Sequence, residues 1–453
     1  MSNIDKGPES VVISRIEQGS EEDFISMRVL GESIPERFVF AHVVQGNYQF
    51  YNAEDWVEDM KLAKRNHIDA FAINIGRDKT NKRQIPLIYE CAERESFHVF
   101  LSFDMCYYGQ PFSSKDVSEI IKMFVRRKGN FRFLGKPLVS TFSGEVSSTF
   151  LDNNPDYDTA WQSLKGNLGF PIYFLPAWTG ADPSRTQSAD GLLSWDAWCP
   201  VSLSADSTNI KKLLENGKQY AAPISAFFFK RLSDNEGDNY TYTTDHWFVI
   251  QKYLYIISCS PQFVELLSWN DYGESHYLRD PISSANLPHG TLYSASYVNG
   301  YPHEPLLDLI SYFNLWFKTG KRPPISCSKA YMWYRCHPKE AKPTSRPFPS
   351  APTSYSETID SIYMVLMISS TTLVKSARII TGSRVYEISL GPNLGKGIGG
   401  DILRISVPFE VGVCQSLSLF DHSKSLVCQI KGKEIVDLPQ DYNFNYWTGM
   451  KSF

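Results

Sequence analysis

The chain has 453 residues, 42% hydrophobic and 21% charged, enough for one large domain and a smaller one. A net charge of -4 gives no electrostatic reason to expect nucleic acid or an anionic membrane as partner, and no apolar run reaches the length of a transmembrane helix. The unusual figure is 14% aromatic, with 10 Trp and 25 Tyr, which makes a sugar ligand, held by ring stacking, worth testing against the plain reading of core aromatics.

In chain order, residues 1–36 are polar and charged and are expected to form a flexible arm. Strand-like runs then alternate with helical ones. RFVFAHVV (37–44) precedes AEDWVEDMKLAKRN, in which Trp56, Met60 and Ala63 share one helical face. AFAINIG (70–76) precedes a helix over 83–95, and VFLSFDM (99–105) precedes a helix over 114–128 capped by Ser113 or Ser114. KPLVSTFSG (136–144), PIYFLPAW (171–178), GLLSWDAW (191–198), APISAFFFK (222–230) and QFVELLSWND (262–271) follow, with helices over 243–258 and 304–318. Eight strands separated by helix-length connections predict a (β/α)8 TIM-type barrel over 37–322; a doubly wound open sheet competes. A Pro- and Ser-rich linker and packing segment is expected over 323–358, and short alternating runs over 359–453 predict a C-terminal β-sandwich.

The eight cysteines are scattered with no CxxC, so buried free thiols are expected. The N-terminus lacks a basic start followed by an apolar run, which sets a cytoplasmic expectation. Asn239-Tyr-Thr is a lone glycosylation sequon. GNFRFLGK (129–136) and GKGIGG (395–400) have the wrong spacing for phosphate or dinucleotide loops, and no HExxH, GxSxG or Cys/His metal spacing occurs. No cofactor and no metal are expected.

In a barrel the chemistry lies at the C-terminal ends of the strands. Those ends carry His42, Asn74, Asp104, Trp178, Trp195 with Asp196, and the run Trp269-Asn270-Asp271-Tyr272-Gly273-Glu274. Glycosidic hydrolysis needs two carboxyl groups, and Asp271, Glu274 and Asp104 are available. Each residue also has a plainer reading. In isolation Asp271-Tyr-Gly is a turn, Glu274 a solvated loop residue, His42 a hydrogen-bonded core histidine, and each Trp a core residue. Asp104 resists that reading, because the run before it is apolar and a lone buried carboxylate is costly.

RFVFAHVVQGNYQFY, DWVEDMKLAKRNHIDAFAINIG, FLSFDM, FLPAW and above all SWNDYGESHY resemble glycoside hydrolase family 71, the fungal endo-α-1,3-glucanases or mutanases, with fission-yeast members the closest. The resemblance extends to NFNYWTG near the C-terminus. It implies a barrel packed on a β-sandwich and inverting endo-hydrolysis of α-1,3-glucan. By motif, Asp271 and Glu274 would be the catalytic pair and Asp104 a third acidic participant. Glu274 is assigned as acid and Asp271 as base, with the roles exchangeable, and Trp269 is expected to help raise the acid's pKa. The expected sugar-binding set is His42, Asn74, Trp178, Trp195, Asp196, Trp269, Asn270, Tyr272 and His276. Ser225-Ala226-Phe227-Phe228 stands where the family has Ser-Pro-Trp-Phe. A monomer is expected, acting on wall glucan after lysis, as in ascus-wall breakdown. A glucan-binding protein without turnover, or a glycosidase of other linkage preference, are the competing readings.

Overall fold

In the computed structural model, residues 11–16, 36–107, 110–146, 149–150, 156–179, 181–182, 184–198, 212–235, 237–243, 247–283, 285, 294–346, 349–391, 394 and 399–453 are described. The strands are β1 (Val12–Arg15), β2 (Phe38–Val44), β3 (Ala70–Ile75), β4 (His98–Asp104), β5 (Arg132–Phe133), β6 (Lys136–Phe142), β7 (Tyr173–Phe174), β8 (Gly191–Leu193), β9 (Gln219–Ile224), β10 (Phe229–Arg231), β11 (Asn239–Thr241) and β12 (Phe263–Leu266). A second group follows: β13 (Lys329–Arg335), β14 (Ser361–Ile368), β15 (Ser376–Thr381), β16 (Arg384–Ser389), β17 (Asp401–Pro408), β18 (Gln415–Phe420), β19 (Leu426–Lys431) and β20 (Tyr446–Ser452). The helices are α1 (Ala53–Arg65), α2 (Asn81–Glu95), α3 (Ser114–Phe124), α4 (Tyr157–Gly166), α5 (Phe248–Cys259), α6 (Ser294–Val298) and α7 (Glu304–Thr319). None of them is long and apolar enough to cross a membrane.

Local chemistry explains these boundaries. The Asn52 side chain accepts from the Glu54 and Asp55 N–H groups, and Asp55 returns a bond to the Asn52 N–H, so a capping box starts α1. Ser113 caps α3 by accepting from Asp116 N–H. GNFRFLGK is the β5–β6 hairpin, turned by Leu134 (φ 50°) and Gly135 (φ 76°).

The first sheet runs β5-β6-β4-β3-β2-β12-β9-β8, with β7 also on β6; apart from the β5–β6 hairpin its pairs are parallel. It is a curled sheet in a mixed α/β fold. Between β7 and β8, Asp190 N–H donates to Phe174 O at 2.8 Å and Leu193 N–H to Pro176 O at 2.9 Å. Side chains alternate strictly along the strands. Phe40, Ala72, Phe100, Leu138, Leu175, Leu193, Ala221 and Phe263 share one cluster. The intervening Val39, Ala41, Ile73, Leu101, Val139, Leu192, Ala222 and Val264 join Trp56, Met60 and Ala63 of α1 in another. The expected strand over 222–230 divides into β9 and β10, since the chain turns out of the sheet after Ile224 to form the β10–β11 hairpin.

The C-terminal part contains two antiparallel sheets, β1-β17-β14-β13-β20 and β16-β15-β18-β19. Ala330, Met332, Met364 and Leu366 of the first pack with Ile379, Leu417, Leu419 and Ile430 of the second. The opposite face of the five-stranded sheet, including Trp333, Tyr363 and Val365, belongs to the core that holds the helices. All eight residues of β14 are therefore buried. Two sequence expectations change. Val12–Arg15, expected in a flexible arm, pair with β17, because their alternating pattern fits an open sheet edge. Lys329–Arg335, expected in a linker, form β13 between β14 and β20; the Pro and Ser residues on either side hid an apolar run. Cys106, Cys327 and Cys414 are exposed rather than buried, and Asn239 of the sequon is buried, with its amide donating to Ser350 O at 3.0 Å. Part of GKGIGG, residues 395–398, lies outside the described residues.

Because β14 serves two cores, truncation on either side should destabilise the whole chain. Leu366→Ala is expected to cost about 2–5 kcal/mol in urea unfolding, and Val365→Ala somewhat less, with one cooperative transition in each case.

Candidate active site

Three side chains on the cluster face of the sheet stand above its aromatic floor. His42 lies two residues beyond Phe40, Asn74 two beyond Ala72, and Asp104 four beyond Phe100, so strand alternation turns all three to the same side. His42 Nδ1 lies 2.9 Å from Glu265 Oε1 on the neighbouring β12, and both residues are buried. The ring of Trp195 meets His42 edge-on at 5.0 Å and Phe142 at 4.7 Å, and is itself half-buried. Asp104 accepts from Cys106 N–H at 3.1 Å; burial pushes its carboxyl up, against that bond and the nearby His42. Just past β3, Gly76 lies under the Tyr107 ring, where a Cβ would stand 2.2 Å from a ring carbon and force the ring to move.

The loop after β12 carries the carboxylates. The Leu267–Ser268 peptide is cis. Trp269 O receives Leu278 N–H at 3.1 Å and Arg279 N–H at 2.9 Å, which closes the loop at its base. The side chains at those two ends meet on a single buried carboxylate of α1. Trp269 Nε1 donates to Asp59 Oδ2 at 2.9 Å and Arg279 Nε to Asp59 Oδ1 at 2.8 Å. Asn270 Oδ1 accepts from Val44 N–H at 2.8 Å and its Nδ2 donates to Val44 O at 3.0 Å, pinning the loop to the end of β2. Tyr272 is buried beside Tyr48, with the two hydroxyls 3.4 Å apart. The left-handed residue of the loop is Ser275 (φ 55°).

Between these anchors, Asp271, Glu274 and His276 converge. His276 Nε2 lies 3.4 Å from Asp271 Oδ2 and 3.3 Å from Glu274 Oε2. Lys230, from the β10–β11 hairpin, reaches Glu274 Oε1 at 3.0 Å, and Glu274 O accepts from Phe229 N–H at 3.1 Å. Phe228 stacks on the His276 ring at 5.6 Å and Trp198 meets it edge-on at 5.1 Å. Tyr242 stacks on Trp198 and Tyr240 on Phe228. Burial works against ionising Asp271, but the charge and hydrogen bond of His276 prevail and hold it below the usual carboxylate range. Burial likewise opposes the imidazolium, yet Asp271 and then Glu274 raise His276 to about 9. Lys230 is raised because Glu274 outweighs its burial. The ligand-type atoms of Asp271, Glu274 and His276 lie within 4.8 Å of one another, and Lys230 brings a positive charge to the same group.

The structure thus gathers His42, Asp104, Trp195, Asp271, Glu274 and His276 at the C-terminal ends of the parallel strands, with Asn74 half-buried on the same face and Asp196 exposed beside Trp195. Four expected sugar binders do not reach it. Trp269, Asn270 and Tyr272 have no exposure, because their polar atoms are spent on Asp59, Val44 and Tyr48. Trp178 is buried among Tyr157, Trp161 and Phe174, with Nε1 donating to Ser143 O at 3.1 Å. Trp269 therefore lines the loop's foot and does not flank the acid. Sequence reasoning missed Lys230, Tyr240 and Tyr242, whereas the plainer reading of His42 as a hydrogen-bonded histidine agrees with its contact to Glu265. The signal for Lys230 was a cation ending an apolar run, but only the hairpin turns it toward Glu274.

The raised pKa of His276 has a sign. Its stabilisation is complete below the unfolded value of 6.5 and is lost as pH rises through about 9. The melting temperature of the protein should fall across that window more steeply than that of His276→Gln, as read by calorimetry in matched buffers.

Residues 35–452 match glycosyl hydrolase family 71. A glucan endo-1,3-alpha-glucosidase of Schizosaccharomyces pombe is 32% identical, covering 92% of this chain and 95% of that protein. A mutanase of Penicillium rubens is 28% identical, covering 93% and 90%. An ascus wall endo-1,3-alpha-glucanase of S. pombe is 27% identical, covering 75% and 80%. With a carboxylate pair at the mouth of the sheet and a match along nearly its whole length, the chain belongs to glycosyl hydrolase family 71 and is a glycoside hydrolase.

Proposed function

We propose that this protein cleaves internal α-1,3-glucosidic bonds of fungal wall α-glucan, using Asp271 and Glu274. The observation that carries the reading is the meeting of these two partly exposed carboxylates on one histidine at the mouth of the parallel sheet. Asp271, held ionised by His276, suits the base that activates water. Glu274, at the open end of the loop, suits the acid that protonates the leaving oxygen. Asp104, raised by burial, faces the same space as a third acidic group. Trp195 and the exposed edge of Tyr242 offer rings to sugar. The endo mode and the linkage follow the relatives, and the likeness to an ascus wall glucanase supports the ascus wall as one natural source of substrate. We also infer that the parallel sheet closes as a (β/α)8 barrel, supported by the backbone bonds between the β7 and β8 segments, and that the paired antiparallel sheets form a β-sandwich.

Inversion is the reading that the family resemblance implies. Inverting enzymes hold their carboxyl groups roughly 6.5–9.5 Å apart to admit water, whereas the nearest ligand oxygens of Asp271 and Glu274 lie within 4.8 Å. Under inversion an entering sugar would part them by drawing Glu274 away from Lys230 and His276, its ion-pair partners among the described residues. The short resting separation favours a second reading, retention. Product anomers followed by NMR during digestion of insoluble α-1,3-glucan separate the two: β-anomers first mean inversion, α-anomers first mean retention. Asp271→Asn and Glu274→Gln should each lower the rate by about two to four decades. A failure of the unmodified protein to release soluble oligosaccharide would sink the hydrolase assignment to this substrate.

A further inference from the structure

An inverting hydrolysis leaves its carboxylates in the wrong states for the next turnover. The acid gives its proton to the glycosidic oxygen as the bond from the anomeric carbon breaks. The base takes a proton from the water whose oxygen bonds to that carbon. Product leaves with one added hydrogen and one added hydroxyl, while Glu274 is now ionised and Asp271 protonated. A proton must return from Asp271 to Glu274.

We propose that His276 is the return path, accepting the proton of Asp271 on Nε2 and delivering it from the same nitrogen to Glu274. This rests on the inverting reading above. The geometry is specific to the task. A single ring nitrogen stands 3.4 Å from Asp271 Oδ2 and 3.3 Å from Glu274 Oε2, while the ring is buried and so shielded from exchange with bulk water. Its Nδ1 is buried without a hydrogen-bond partner among the described residues, so Nε2 is the nitrogen through which the ring exchanges a proton with its neighbours. Phe228 and Trp198 cover the ring and fix its plane.

The three groups then hold one proton at every stage. In the resting enzyme it sits on His276, whose raised pKa agrees with that placement. Lys230 favours ionised Glu274 from the hairpin side, so the proton waits on the ring until sugar displaces that contact and Glu274 receives it. Among the described residues, the other ionisable groups facing this cluster are His42 with Glu265 beneath it, Asp104 on the same face, Tyr240 of the hairpin, whose phenol burial and then Glu274 push up, Asp238 near Lys230, and His303, which burial lowers to about 4. None of these bridges both carboxylates. His276 acts through Asp271 and Glu274, so it is a positioning and proton-holding residue.

The test is the pH dependence of kcat for His276→Gln, whose amide can hydrogen-bond to both carboxylates but cannot carry the proton. In the unmodified enzyme kcat should fall as pH rises through about 9, where the three groups lose their shared proton. In His276→Gln that limb should move down toward the ordinary glutamic acid value of about 4.3, and kcat at pH 7 should drop by about 100-fold with KM within a few-fold. An unchanged limb and kcat, with β-anomers released first, overturns the relay alone. Release of α-anomers first overturns it together with inversion, because a retaining acid recovers its own proton. Should the variant not fold, histidine nitrogen NMR of the unmodified protein decides: a doubly protonated ring at pH 7–8 supports the inference, and a neutral His276 ring there overturns it.

Discussion

Asp59 is one buried carboxylate on α1, and the reactive loop depends on it. Its two oxygens take the indole of Trp269 and the guanidinium of Arg279, the residues at the two ends of the loop. Those same residues are joined through their backbones at Trp269 O. A loop of eleven residues is thereby clamped at its base by side chains and main chain together. Arg279 extends the clamp to Glu58 and to Glu304 at the start of α7. A buried charge needs such company, since an uncompensated one costs several kcal/mol.

Within the clamp, anchoring residues and reactive ones are interleaved. Trp269, Asn270 and Tyr272 point into the fold, while Asp271 and Glu274 point out. The backbone of each outward carboxylate is fixed within the loop: Asp271 N–H donates to buried Ser268 Oγ at 2.7 Å, and Glu274 N–H to Asp271 Oδ1 at 3.0 Å. The charges balance locally, with two carboxylates against His276 and Lys230. That balance lets two acids sit side by side in a partly buried place without both being forced neutral.

The strand rhythm was legible because buried parallel strands and amphipathic helices have distinct periods, as Trp56, Met60 and Ala63 of α1 illustrate. Asp271 and Glu274 were singled out by their place after a predicted strand and by the motif they share with the family, since each alone also reads as a turn or loop residue. The directions of the rings were not. Trp269 and Trp178 sit at strand ends, where sugar-binding rings would be sought, but a residue type carries no direction. Asp59, 210 positions away in sequence, turns Trp269 inward. Lys230 was hidden for a related reason: its hairpin leaves the sheet immediately after β9, and nothing in Phe227-Phe228-Phe229-Lys230 marks where the chain turns. β13 was concealed by composition, since its flanks read as linker.

The five-stranded sheet has water on neither face along β14. One side meets the helix-bearing core through Trp247, Tyr363 and Trp333, and the other meets the four-stranded sheet. The five-stranded sheet thus covers the core that holds the helices as much as it builds a core with the four-stranded sheet. For anyone seeking a minimal catalyst, the texture change near residue 323 is a misleading place to cut. A fragment ending there would leave the apolar flank of α5 and α7 without cover, and self-association through that flank would replace the missing sheet.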